Sequence, residues 1–238
     1  MNDFYLNLVV QGSLYALLVF SVATWLLIVV KAVQHWRVAR HDKSFSRRFW
    51  SASSLDAAAA LTSDTGPKSR LAVVGFDALY VTDSTAESDL EHSWDRKELL
   101  ERHLRQQIQK EHASLESGLA VLASIGSTAP FVGLFGTVFG IIHALTAISQ
   151  NASASIEVVA GPIGEALVAT GVGIAVAVPA VLAYNFYVRR LKGAALELDN
   201  FANDLVNLAQ KSGFRVTRPV TVGARGKSTS AVPEGVFA

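Results

Sequence analysis

One carboxylate stands out as a group that could do chemistry, because it lies within a long apolar stretch. Glu165 is the only charged residue between Val158 and Val188, and no charged residue occurs from Ser117 to Ile156. A charge at the centre of a bilayer costs from about 2.5 kcal/mol upward, so such groups usually face protein or water. We therefore interpret Glu165 as a buried group beside a water path, able to exchange protons. An interfacial position that reaches bulk water is the alternative.

Two hydroxyls in the same stretches, Thr137 and Thr170, are the next candidates. A hydroxyl in a membrane helix often bonds the carbonyl one turn back and does nothing more, and that interpretation stays open. On an ideal helix Glu165 and Thr170 project about 140° apart, so they are expected to serve different surfaces. His143 could relay protons, but a hydrogen bond near the outer interface is the preferred interpretation, and it is left out of the site.

Glycines surround these polar residues and let helices approach closely. Gly136 and Gly140 form a small-xxx-small pair, a spacing that favours contact between membrane helices. Tight packing alone is the preferred interpretation for the glycines. The candidate packing positions are Gly133, Gly136, Gly140, Gly161 and Gly164.

The elements that position these residues must be membrane helices. The chain has 50% hydrophobic and only 17% charged residues, an unusual balance for a soluble protein. A hydrocarbon core of about 30 Å needs about 20 apolar residues in a helix, and a backbone in lipid must satisfy its own hydrogen bonds. Three stretches qualify. The first begins at about residue 8 or 14 and ends at residue 30, the second is 125–148 and the third is 158–188.

Basic residues fix the expected orientation. Six follow the first span with only Asp42 opposing them, three follow the third span, and the loop at 149–157 has none. By the positive-inside rule the N-terminus lies outside and the C-terminus lies in the cytoplasm. No basic residue precedes the first span, so we interpret it as a retained helix rather than a cleaved signal. The basic residues are Lys31, Arg37, Arg40, Lys43, Arg47 and Arg48, then Arg189, Arg190 and Lys192.

Two periodic stripes predict that the second and third spans extend into the cytoplasm as long helices. One stripe is expected to run into the second span without a break, and the other to stop at Lys211 and Gly213. Turns are predicted at 63–67 and 82–85. The stripes are Leu100, Leu104, Ile108, Leu115, Leu119 and Leu122, then Leu191, Ala195, Leu198, Ala202, Leu205 and Leu208.

The chain thus divides into seven predicted segments of an all-α membrane protein. It has no cysteine, and no catalytic triad, metal cluster, cofactor site or nucleic-acid patch is visible in the sequence, so neither an enzyme nor a cofactor is expected. The segments are an outer N-terminus with the first span (1–30), a mostly helical cytoplasmic insert (31–117), the second span (118–148), an outer loop (149–157), the third span (158–188), a cytoplasmic helix (189–213) and a flexible tail (214–238).

The runs LASIGSTAPFVGLFGTVFG at 122–140 and VAGPIGEALVAT at 159–170 resemble the signature of the MotA/TolQ/ExbB proton-channel family. Phe139 replaces the family's usual tryptophan, and Gly171 stands where alanine is common. Within the family the second run is more similar to the ExbB branch. The TolQ branch, which energises the Tol-Pal system, is the alternative, and a passive membrane scaffold is a weaker one.

The resemblance implies a five-membered ring of this chain in the bacterial inner membrane, enclosing single-span helices of an ExbD-like partner. It also implies that the ring uses proton flow to energise TonB for uptake of ferric siderophores and vitamin B12. Thr137 and Thr170 would line the channel near a proton-carrying aspartate of the partner, and Glu165 would serve the proton path.

Overall fold

Six helices make up the regular structure of the part of the chain that the computed structural model describes, residues 2–61, 65–84, 96–150 and 156–214. No strand occurs in those ranges. The predicted all-α class is thus confirmed for them. The helices are α1 (Asn2–Trp50), α2 (Leu55–Ala59), α3 (Pro67–Ser84), α4 (Arg96–Glu116), α5 (Leu119–Gln150) and α6 (Ile156–Lys211).

Three stretches of helix are long and apolar enough to cross a membrane, as predicted. They belong to α1, α5 and α6. At about 1.5 Å per residue, the 56 residues of α6 are roughly 84 Å long, far more than the hydrocarbon thickness. The molecule therefore has a membrane half, built from the three spans, and an extramembrane half, built from the remainder of α1 and α6 with α2, α3 and α4.

The extramembrane half has an aromatic and aliphatic core to which five helices contribute. Phe49 of α1 and Phe201 of α6 pack edge to face, with ring centroids 5.0 Å apart. Leu104 of α4 and Leu205 of α6 are buried in the same core. The two predicted stripes thus meet each other within one chain, and α1 and α3 complete the core around them.

The long helix predicted to enter the second span without a break is interrupted at Ser117 and Gly118, which separate α4 from α5. Gly118 has a φ of +79°, in the left-handed region that residues with a Cβ rarely adopt. The backbone conformation of this one residue therefore explains the break in the predicted helix. The stripe continues across the interruption, since Leu115 and Leu119 are both buried.

The end of α6 follows the predicted stop. The helix ends at Lys211, and Gly213 has a φ of +63°. The backbone N–H of Phe214 donates to the Ala209 carbonyl at 2.8 Å, which satisfies one of the last carbonyls of the helix. The tail is predicted to begin at residue 214; apart from Phe214, it lies outside the described residues.

The start of α3 is held by α1. The Asp42 carboxylate accepts a hydrogen bond from the backbone N–H of Lys68 at 3.1 Å, in the first turn of α3. A Cβ on Gly66 would lie 2.8 Å from Asp42 Oδ1, so a larger residue there would displace the carboxylate from this position. The turn predicted at 82–85 is instead helical as far as Ser84, because α3 continues to that residue; residue 85 is outside the described ranges.

Candidate functional site

The second and third spans touch through their backbones, which sets the geometry of the candidate site. A Cβ on Gly133 would lie 2.6 Å from the Ala169 carbonyl oxygen and 3.0 Å from Thr170 Cα. A Cβ on Gly173 would lie 2.7 Å from the Ala129 carbonyl oxygen. Each helix thus presents a glycine to the backbone of the other, and no side chain can separate them at this level.

This close approach brings the two candidate threonines together. The Thr137 hydroxyl is buried, and it hydrogen-bonds to the Thr170 hydroxyl across the helix pair. It also lies 3.0 Å from the Gly133 carbonyl oxygen, one turn back, and 3.3 Å from the Ala166 carbonyl oxygen of α6. The local bond to the preceding turn is therefore present, and the contact between hydroxyls exists beside it.

A hydroxyl carries one hydrogen, so the Thr137 bonds compete for it. Either Thr137 or Thr170 can be the donor in the bond between them. If Thr137 donates to a carbonyl, its oxygen can accept from Thr170; if it donates to Thr170, the carbonyls lose that bond. The pair therefore has two alternative hydrogen-bond arrangements within an otherwise apolar helix contact.

Two further glycines of α5 extend the contact towards the C-terminal end of that helix. A Cβ on Gly140 would lie 2.5 Å from the Cβ of Ala166 on α6. Gly136 faces two helices at once, because its Cβ would lie 3.1 Å from the Cβ of Ala169 and 3.2 Å from the Cβ of Ser13 on α1. The first span is thereby packed directly behind the threonine pair.

Glu165 lies on a different side of α6 from this contact. Its side chain is exposed on the protomer, whereas the neighbouring Ala166 is fully buried against α5. A Cβ on Gly161 or Gly164 would meet nothing within 4 Å. The carboxylate and these two glycines therefore belong to an outward surface of the single chain, and Thr170 belongs to the inward one.

Sequence reasoning missed several residues of the α5–α6 contact. Gly126 packs against α6, since a Cβ there would lie 2.5 Å from Val181 Cγ2, and Gly173 was not singled out. The signal was present as a repeat of seven on α5 and as small residues at spacings of three and four on α6. The repeat on α5 is Gly126, Gly133 and Gly140, and the α6 series is Ala166, Ala169, Gly173, Ala177 and Ala180.

The remaining polar groups are weaker candidates for a functional site. Nδ1 of His143 is buried and has no hydrogen-bond partner within the described part of the chain. Within those same ranges no group of three His, Asp or Glu residues is placed to hold a metal ion. A cavity of about 980 Å³ lies between α1 and α6 in the extramembrane half, away from the threonine pair.

Fold and site together define a helical multi-pass membrane protein whose spans pack through their backbones and hold polar groups in apolar surroundings. The family model for MotA/TolQ/ExbB proton channels matches residues 77–200. The chain belongs to this family, whose members are channel proteins rather than enzymes.

Curated relatives cover most of the chain. It is 39% identical over 198 residues to the biopolymer transport protein ExbB of Neisseria meningitidis, covering 83% of this chain and 90% of that protein. It is 35% identical to ExbB of Xanthomonas campestris, with 86% and 81% covered. It is also 30% identical to the Tol-Pal system protein TolQ of Haemophilus influenzae, with 87% and 92% covered.

Proposed function

We propose that this chain is the ring-forming subunit of an inner-membrane complex that uses the proton motive force to energise TonB. Five copies would enclose an ExbD-like partner, and the driven process would be outer-membrane uptake of ferric siderophores and vitamin B12. Family membership and the ExbB relatives support this proposal. The basic residues that follow the first and third spans support a cytoplasmic location for the extramembrane half.

The observation that carries the proposal is the outward position of Glu165 in the third span. A carboxylate exposed at membrane depth would face lipid in an isolated protomer, at a cost of several kcal/mol in many settings. A neighbouring copy or a water-filled channel removes that cost. The open surface at Gly161 and Gly164 allows another helix to approach there.

The threonine pair supplies the second part of the mechanism. Hydroxyls that can exchange donor and acceptor roles can follow a protonation change on a nearby carboxylate of the partner. Because Thr137 bridges α5 and α6, a change of its partner alters the contact between the two spans. Each proton that crosses 100 mV releases about 2.3 kcal/mol, which exceeds the net contribution of about 0.5–1.5 kcal/mol that a typical hydrogen bond makes to stability.

Deletion of the gene and complementation at equal protein level tests the function. Growth on a ferric siderophore as the sole iron source should be restored by the wild-type chain and lost with Glu165→Gln or Thr137→Val. Thr128→Val is the matched control, because the Thr128 hydroxyl is exposed and bonds only its own helix, at the Ser124 carbonyl. Normal growth with both site variants would refute the proposal.

The same strains distinguish the TonB-energising function from the TolQ-type alternative, which the 30% identity to TolQ supports. If the deletion strain grows normally on the siderophore but leaks periplasmic protein, the chain serves the Tol-Pal system. In that case the role of Glu165 in the proton path predicts that the wild-type chain stops the leakage and that Glu165→Gln does not.

Proton flux separates a channel subunit from a passive scaffold. Liposomes that contain this chain with its ExbD-like partner should conduct protons, and Thr170→Val should abolish the flux while leaving the complex assembled. Flux that is unchanged in Thr137→Val and Thr170→Val would leave only a packing role for the hydroxyls.

A further inference from the structure

A buried lysine lies where α1 leaves the first span. Lys31 is only 3% exposed, although it opens the basic cluster that the positive-inside rule uses. A lysine at a membrane boundary normally extends its charge into water, as the exposed Lys43 can. Burying an ammonium group is costly unless it is well hydrogen-bonded, so the position of Lys31 needs a specific explanation.

The partners of Lys31 supply that explanation. Its Nζ donates to the Leu115 carbonyl oxygen at 2.9 Å and to Gln34 Oε1 at 2.8 Å. Leu115 lies in the last turn of α4, where carbonyls lack partners within the helix and the helix dipole attracts a cation. The lysine of one helix thus caps the end of another that is 84 residues away in sequence.

The same turn of α1 also covers the interruption between α4 and α5. A Cβ on Gly118 would lie 3.4 Å from Leu27 Cδ2 and 3.8 Å from Lys31 Cε. Lys31 therefore binds the carbonyl before the interruption and packs against the glycine that forms it. Leu27 and Lys31, one turn apart on α1, therefore contact the junction between α4 and α5 on both sides of the interruption.

The third span is tied to the same segment of α1. The Tyr187 hydroxyl of α6 donates to the Ile28 carbonyl at 2.8 Å, and the Tyr187 ring stacks on His35 with centroids 5.3 Å apart. Residues 27–35 of α1 thus contact the α4–α5 junction on one side and α6 on the other. These contacts lie where the spans continue into the extramembrane half.

We propose that Lys31 is a positioning residue that locks the α4–α5 junction to α1. While the lock is closed, the membrane and extramembrane helices move as one body. Without it, Gly118 is the point at which α4 changes direction relative to α5. For its functional consequence this inference rests on the proposed function, since a proton-driven shift of the second span would reach the extramembrane half through this junction.

Distance measurements between spin labels test the lock directly. The chain has no cysteine, so Val33→Cys on α1 and Gln109→Cys on α4, both at exposed positions, give one labelled pair. The full chain is reconstituted with its partner and diluted with unlabelled copies. Lys31→Met should broaden the distance distribution, whereas Lys31→Arg and the exposed control Lys43→Met should keep it narrow.

A second variant guards against simple misfolding. Gly118→Ala leaves Lys31 in place but strains the junction, so it should shift the distance while the protein still inserts and assembles. An unchanged, narrow distribution in Lys31→Met overturns the lock at Lys31, whether or not Gly118→Ala shifts the distance. Siderophore-dependent growth is measured in parallel: a broadened distribution with normal growth refutes the proposed coupling, and growth that no variant or deletion affects refutes the proposed function alone.

Discussion

The two halves of this molecule differ in the side chains through which their helices make their closest contacts. In the membrane half the inner faces carry small and polar residues, among them Ser13, Thr24 and Thr137, while large apolar residues such as Leu18 and Phe131 are exposed. In the extramembrane half the core is aromatic and aliphatic, with Phe45, Phe76 and Leu205 among its members. The membrane half also buries some large apolar residues, such as Leu17 and Val176, so the halves differ in the share of small and polar residues at their helix contacts.

The surrounding medium explains the difference. In water, burial of apolar area drives folding, so large side chains go inside. Lipid is as apolar as leucine and gives no such drive, so helices associate through close van der Waals contact and hydrogen bonds between small and polar residues. The comparison predicts that the worst substitutions in the two halves have opposite directions, enlargement in one and truncation in the other.

The largest effect is expected for enlargement at the α5–α6 contact. In Gly133→Ala the new methyl group would clash with the backbone of Ala169 and Thr170, which cannot rotate away as a side chain could. The loss of stability should exceed the about 1–3 kcal/mol typical of overpacking. Monodisperse, protease-resistant protein in detergent should fall sharply, as measured by size-exclusion chromatography and limited proteolysis.

Gly171→Ala is the matched control for that variant. Gly171 lies on α6, at nearly the same depth in the span as Gly133. A Cβ on Gly171 would have no atom of the protomer within 4 Å. Alanine also favours helix by up to about 1 kcal/mol over glycine. Equal yields of folded protein from Gly133→Ala and Gly171→Ala would contradict the backbone contact.

Truncation should do most damage in the extramembrane half. Leu205 is fully buried, and a Cβ on Gly75 would lie 2.6 Å from its Cδ2, so Leu205→Ala leaves a cavity against α3. The expected loss is about 2–5 kcal/mol, confined to this half. Hydrogen exchange should rise in α3, α4 and the end of α6 but not in the spans. Leu196→Ala, at a position that is 62% exposed, is the control, and equal exchange in both variants would contradict the prediction.

Sequence patterns predicted the extramembrane half well because its medium is water. There, apolar residues at spacings of three and four mark the buried face, and Leu100, Leu104, Leu198 and Leu205 are all buried. The same rule locates the spans but not their inner faces, since nearly every residue in a span is apolar. The interruption at Gly118 was also missed, because a glycine within an apolar pattern does not reveal its φ.

The candidate site was only partly predictable for a related reason. The sequence identified Thr137, Thr170 and Glu165 as unusual, and helix geometry separated Thr170 from Glu165. The contact between the two hydroxyls depends on backbone approach at Gly133 and Gly173, a tertiary feature that spacing in one helix does not give. Lys31 contacts Leu115, which is 84 residues away in sequence. From the sequence alone, Lys31 is interpreted only as one of the basic residues that indicate topology.

The smallest expected effect concerns a buried carboxylate outside the membrane. Asp42 lies twelve residues beyond the last residue of the first span and caps α3. Burial raises its pKa from 3.8 to about 6, although the hydrogen bond from Lys68 opposes the shift. A raised pKa means that the folded state binds the proton more tightly. The stability that Asp42 contributes is therefore complete below pH 3.8 and is lost as the pH rises through about 6.

Asp42→Asn should remove this pH dependence, because the amide oxygen can still accept from Lys68 and does not ionise. The stability of the variant relative to wild type should increase between about pH 4 and about pH 7, measured by thermal unfolding in nanodiscs. Asp199→Asn, at an exposed position on α6, is the control. A difference that stays constant with pH would show that Asp42 is not desolvated. The two halves treat their carboxylates differently. Asp42 is buried and accepts a hydrogen bond from α3 of its own chain, whereas Glu165 faces outward and, under the proposed function, depends on assembly for its surroundings.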